Sequence, residues 1–151
     1  MIDQVVLQIA KRLRQITHEV DRYSKYLQES YQITIPQLVC LREIHDHGPV
    51  SLSALSRIVY VNSSTVTGIV DRLEKRELVR RRRMSKDRRQ IHVEITEQGL
   101  QFIAHAPAPL EERFAQRLKR LDGDEIKALL LAIEKLVVML NSSDQALTRF
   151  N

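Results

Sequence analysis

The sequence predicts a mainly α chain with one small β-hairpin, and three observations lead there. Apolar residues recur at helical spacing through most of the 151 positions. Gly and Pro number four each, a scarcity that favours long helices over an all-β design. One short stretch, Gln90 to Ile95, alternates with period two instead, and a basic run precedes it. The length suits one ordinary domain, or one domain with long interaction helices. A hydrophobic content of 43% supplies a packed core, and 28% charge is ordinary.

The first helix is written by Ile2, Val6, Ile9, Leu13, Ile16, Val20, Tyr23 and Leu27, spaced alternately four and three apart. That narrow seam exceeds what a small core covers, so part of it is expected to meet another chain. Thr34 then caps a second helix, with Pro36 in its first turn. It runs through Leu38, Leu41 and Ile44 to His47-Gly48-Pro49. Ser51 or Ser53 caps a short third helix holding Leu52, Leu55, Ile58 and Val59.

After the bridge Tyr60-Val61-Asn62, Asn62 caps a fourth helix. Its Val66, Ile69, Val70 and Leu73 form a single apolar stripe. Two helices joined by so short a turn form a helix-turn-helix. Strands Leu78–Arg83 and Gln90–Ile95, joined at Ser85-Lys86-Asp87, follow as a hairpin. Ile91, Val93 and Ile95 are expected on one face, and Gln90, His92 and Glu94 on the other. A helix-turn-helix with such a hairpin is a winged helix.

Thr96 caps a fifth helix beginning Glu97-Gln98-Gly99, and Pro107 and Pro109 must break or kink it. Leu110 to Leu121 resumes helix. Asp122 caps the last one, whose Ile126, Leu129, Leu130, Ile133, Leu136, Val137 and Leu140 form a broad apolar stripe. The tail from Asn141 is polar.

Charge is local. From Arg80 to Arg89 there are seven basic residues and one acid, Asp87, a net of +6 against +5 for the whole chain. A concentrated positive field on an otherwise balanced surface calls for a polyanion or a counter-charged partner. The fourth helix presents Ser63, Ser64, Thr65, Thr67, Gly68, Asp71, Arg72 and Lys75 opposite its apolar stripe. Small hydroxyl residues there let the backbone approach a major groove, and their hydroxyls read base edges. A ribbon tipped by Lys86, Arg88 and Arg89 suits a minor groove, where narrow width concentrates negative potential. Asp87 is expected to fix one arginine by accepting hydrogen bonds from Arg89 or the turn backbone. Arg80 to Arg83 are assigned to phosphates or solvent.

Other chemistries find little support. Cys40 is the single cysteine, which excludes an intramolecular disulfide, and it reads as a small buried hydrophobe. His45 and His47 lie two apart on a helix end and face different ways, so they do not make a metal site. His18, His92 and His105 are isolated. No catalytic constellation, cofactor motif or apolar run of eighteen residues is present. The chain is therefore read as neither an enzyme nor a membrane protein, with no cofactor, and cytoplasmic by default.

The run from Val61 through Asn62-Ser63-Ser64-Thr65-Val66-Thr67-Gly68 to Leu78-Val79-Arg80-Arg81, with Asp87-Arg88-Arg89 and Thr96-Glu97-Gln98-Gly99, resembles the MarR family of bacterial transcriptional regulators. The likeness covers essentially the whole chain, including the Pro36-Gln37-Leu38 start of the second helix. It implies a homodimer whose terminal helices interdigitate and hold two winged helices over a palindromic operator. It implies Arg89 as the minor-groove arginine with Asp87 as its support. It also implies a cleft between the first, second and fifth helices for small anionic or phenolic effectors. Arg14, His18, Tyr26, Arg42 and Arg113 are the candidate polar groups there.

Two features depart from the family pattern. Glu77 stands where a glycine is usual, and Pro107 and Pro109 interrupt a helix that is usually continuous. Cys40 also does not match the first-helix cysteine of peroxide-sensing members. Residues 1–33 are thus expected to form an N-terminal dimerisation helix, 34–99 a DNA-binding lobe and 100–151 C-terminal dimerisation helices. The expected function is a homodimeric repressor on double-stranded DNA, released by a small anionic or aromatic effector. The rival expectation is a protein-interaction module whose basic hairpin docks an acidic partner.

Overall fold

The computed structural model describes residues 1–83 and 91–147, so the expected hairpin tip, including Lys86, Asp87, Arg88 and Arg89, lies outside the described residues. Among the described residues, seven helices and three strands run in the order α1 (Ile2–Tyr31), α2 (Ile35–His47), β1 (Val50–Ser51), α3 (Leu52–Val59), α4 (Ser63–Lys75), β2 (Val79–Arg83), β3 (Ile91–Ile95), α5 (Glu97–His105), α6 (Leu110–Leu118) and α7 (Gly123–Leu147). They divide into two compact units, Met1–Pro109 and Leu110–Asn151.

Caps set most boundaries of the first unit. Thr34 Oγ1 accepts from the Gln37 amide while Gln37 Oε1 accepts from the Thr34 amide at 3.0 Å, a reciprocal capping box. Ser51 caps α3, Asn62 caps α4 and Thr96 caps α5 through their side-chain oxygens. At the far end of α1, Gln32 turns left-handed (φ 53) and sends Ile33 into the core, where it is fully buried.

The core gathers Leu27, Ile33, Leu38, Leu41, Ile44, Leu55, Val66, Val70, Leu73, Leu78, Val79 and Val93. It therefore joins the end of α1 to α2, α3, α4 and the sheet. Cys40 is buried within it, and desolvation followed by the nearby Glu43 charge pushes its thiol up to about 11.

The hairpin expectation needs one addition. The sheet has three antiparallel strands in the order β1-β3-β2, with Val50 opposite Val93 and Ser51 opposite His92. On the other side Val79 pairs with Ile95, Arg81 with Val93 and Arg83 with Ile91. The strand predicted from Leu78 begins at Val79, because Leu78 belongs to the turn out of α4. Ile91 is exposed although alternation puts it on the same face as fully buried Val93.

Glu77 does adopt the left-handed conformation, at φ 59. Neighbouring bonds hold it there: its amide donates to the Glu74 carbonyl at 2.8 Å, and Thr96 Oγ1 donates to the Glu77 carbonyl. The same Thr96 oxygen accepts from the Gly99 amide at 3.0 Å. A Cβ on Gly99 would meet the Leu78 carbonyl oxygen at 2.1 Å, so the helix comes this close only with glycine there.

The prolines end α5 at His105. Beyond it, two carbonyls that no helix can use are taken up by side chains. Buried Tyr23 donates to Ala108 at 2.9 Å and Arg42 donates to Pro107 at 3.1 Å.

In the second unit, Asp122 Oδ1 accepts from the amides of Asp124 and Glu125 and so caps α7. The predicted apolar stripe of α7 stays at the surface, with Leu130 56%, Val137 50% and Leu140 60% exposed. Most of the α1 seam does too: Ile2, Val6, Ile9 and Ile16 are exposed, and Tyr23 and Leu27 are buried.

Candidate nucleic-acid interface

The fourth helix is positioned by what it buries. Val66, Ile69, Val70 and Leu73 face the core, which leaves Ser63, Ser64, Thr65 and Arg72 exposed and Thr67 and Gly68 half-buried. Asn62 Oδ1 accepts from the Thr65 amide and from Ser64 Oγ, each at 2.8 Å. Thr67 Oγ1 donates to the Ser63 carbonyl at 2.8 Å. A Cβ on Gly68 would meet nothing within 4 Å, so no packing inside the protein requires glycine there. The exposed N-terminal half is thus a small-residue surface on a rigid, capped helix, suited to close approach by a groove.

Arg81 of β2 corrects the assignment to phosphates or solvent, whereas Arg80, Arg82 and Arg83 remain exposed. Arg81 Nη2 donates to Asp71 Oδ1 at 2.6 Å, Nη1 pairs with Glu74, and the Arg81 amide donates to Glu74 Oε1 at 3.1 Å. This side chain ties β2 to α4. Its partial burial opposes the charge, but the bonds to Asp71 and Glu74 hold the guanidinium pKa above its ordinary value.

On the opposite face, Arg80 Nε donates to Glu94 at 2.6 Å and Arg82 lies 3.6 Å from the same carboxylate. The Arg80 hydrogen bond holds Glu94 below the usual carboxylate range, against partial desolvation and with help from Arg82. Alternation in the sequence gives sides but not partners, and for that reason these pairs were missed. Asp71, Glu74 and Glu94 were the available signal.

Arg76 is a second residue that sequence reasoning overlooked. It ends α4, and its guanidinium donates to the Gln32 carbonyl at 2.6 Å and the Tyr31 carbonyl at 3.2 Å. It also stands 5.2 Å over the Phe102 ring, fastening α4 to α1 and α5.

The candidate effector residues are dispersed over several elements. Arg14 and His18 line one open depression of about 540 Å³ along α1, with Lys11, Gln15 and Glu19. Tyr26 packs edge-on against Tyr31 at 5.8 Å, and Arg42 is engaged by Pro107. Arg42 Nε is buried without a partner among the described residues. Arg113 belongs to α6 in the second unit. His45 pairs with Asp46 at 2.7 Å and His47 with Glu43 at 3.2 Å. No group of three metal-binding side chains converges among the described residues. Nor is any helix among them long and apolar enough to cross a membrane.

Known proteins share this arrangement. The MarR family pattern matches residues 33–91, from the α2 cap to β3. The transcriptional repressor NicR of Pseudomonas putida is 35% identical over 107 residues, covering 70% of this chain and 67% of NicR. The regulator BldR of Sulfolobus solfataricus, at 26% identity and a TM-score of 0.62, covers 91% of this chain and 97% of its own. MepR of Staphylococcus aureus, solved in complex with DNA, has the same fold at a TM-score of 0.67 and 18% identity, over 87% of this chain and 97% of its own. With its winged helix, its capped small-residue helix and its hairpin in the family's order, the chain belongs to the MarR family, whose members are transcription factors and not enzymes.

Proposed function

We propose that this DNA-binding regulator acts as a homodimeric repressor on a pseudo-palindromic operator. The observation that carries the reading is α4, whose Ser63, Ser64, Thr65 and Arg72 are exposed opposite a fully buried stripe. In this reading Ser64, Thr65, Thr67 and Arg72 meet base edges or adjacent phosphates, and Gly68 lets the groove come close. Lys86, Arg88 and Arg89 enter the minor groove with Asp87 fixing Arg89. Residues 34–99 form the DNA lobe, while 1–33 and 100–151 pair with a second copy. The two α4 helices then lie one duplex turn apart, about 34 Å.

MepR binds DNA and NicR is a repressor, and both support extending these properties to this chain. Release by a small anionic or aromatic effector completes the reading, with Arg14, His18, Tyr26 and Arg42 of the first unit and, separately, Arg113 of the second as candidate polar groups, in a protein that works in the cytoplasm beside its DNA.

The test is selection of duplexes from a random pool, followed by binding measurements on Arg89→Ala at several salt concentrations. A palindromic motif should emerge. The variant should bind more weakly, with its salt slope reduced by about one. Unselective binding, or an unchanged slope, rejects the assignment.

A further inference from the structure

Tyr60 lies in the turn between α3 and α4, where it ends α3 and combines a left-handed backbone with a bare aromatic side chain. Its backbone is left-handed, at φ 54 and ψ 39, where bulky residues are rare and glycine is favoured. Its side chain is 96% exposed, so no packing offsets that conformation. The turn itself is rigid. The Tyr60 amide and the Val61 amide both donate to the Ser56 carbonyl, the latter at 3.2 Å, and Ser56 Oγ donates back to the Val61 carbonyl. Two residues later Asn62 caps α4. The backbone that carries the phenol is therefore held just before the N-terminus of the helix assigned to the groove.

In helix-turn-helix docking the first helix crosses the sugar-phosphate backbone as the second enters the groove, so the turn between them meets phosphates. We propose that Tyr60 is a DNA-backbone contact whose hydroxyl donates to a phosphodiester oxygen, an inference that rests on the DNA reading of α4. A neutral phenol displaces no counterion and reads no base. Its contribution is therefore independent of sequence and of salt, unlike that of the arginines.

Tyr60→Phe removes the hydroxyl alone, and Tyr60→Gly removes the side chain while relieving the left-handed turn. Both are titrated by fluorescence anisotropy against a pool-selected duplex and a scrambled duplex, alongside thermal melting. Both variants should lose about tenfold in affinity on either duplex, as one hydrogen bond to a charged acceptor predicts, with the salt slope unchanged. Tyr60→Gly should melt no lower than the parent, which separates lost contact from lost fold. Unchanged affinity of Tyr60→Phe overturns the inference, as does a loss confined to the selected duplex. If the parent chain binds neither duplex, the reading of α4 fails along with this one.

Discussion

At the scale of single residues, Gly68 separates the demands of folding from those of binding. Glycine inside a helix costs roughly 1 kcal/mol relative to alanine, and a Cβ at Gly68 meets nothing in the protein. Gly68→Ala should therefore raise stability by up to about 1 kcal/mol in denaturant unfolding. The same methyl, placed on the surface assigned to the groove, should weaken binding to a selected duplex. Equal affinity with higher stability would remove Gly68 from the interface. Cys40 makes a prediction of opposite character. Its folded pKa of about 11 lies above the ordinary thiol value of 9.0, so the fold favours the protonated form. That contribution is complete below pH 9 and is lost as pH rises toward 11. Stability should fall across that window in the parent and remain flatter in Cys40→Ala, while the thiol stays inert to alkylation at neutral pH. Rapid alkylation of the folded protein at neutral pH would contradict the burial.

At the scale of elements, the joint between α4, β2 and α5 decides how the hairpin stands on α4. Thr96 serves both sides of it by donating to Glu77 and accepting from Gly99, and the missing Cβ of Gly99 admits the Leu78 carbonyl. Gly99→Ala forces backbone apart and not merely a flexible side chain, so a loss of roughly 2–3 kcal/mol is expected in thermal or denaturant unfolding. A change below about 0.5 kcal/mol would mean that the joint is loose. Here the spacing of Thr96 and Gly99 in the sequence acquires a physical cause. The caps Thr34, Asn62, Thr96 and Asp122 were legible because capping depends on a few adjacent residues, and the apolar stripe of α4 because its period is regular. Strand β1 was not legible, since two residues carry no period and its pairing with β3 spans distant chain. The bonds from Arg81 to Asp71 and Glu74 were hidden for the same reason: a strand pattern gives the side of a residue and leaves its partner undefined. Tyr60 escaped notice because nothing local in Tyr60-Val61-Asn62 announces a left-handed turn.

At the scale of the whole molecule, the distribution of apolar surface supports the proposed dimer. Ile2, Val5, Val6, Ile9 and Ile16 are exposed along α1, and Ile126, Leu129, Leu130, Ile133, Val137 and Leu140 along α7. Both sets repeat at helical spacing, unlike the scattered apolar residues of an ordinary surface. Each such side chain gains roughly 1.5–3 kcal/mol on full burial, and in a two-fold interface every substitution acts twice. A chain of 17.6 kDa should therefore sediment as a particle of twice that mass at micromolar concentration. Leu130→Glu with Val137→Glu should weaken association by more than about a hundredfold, because each partner then buries charge where it buried hydrocarbon. The folded first unit, whose core uses neither residue, should keep its helical circular dichroism. Affinity for a palindromic duplex should fall with dissociation, since one lobe then engages one half-site. A parent chain that sediments at 17.6 kDa yet binds the palindrome with full affinity would refute the dimer and leave the two apolar faces to a different partner.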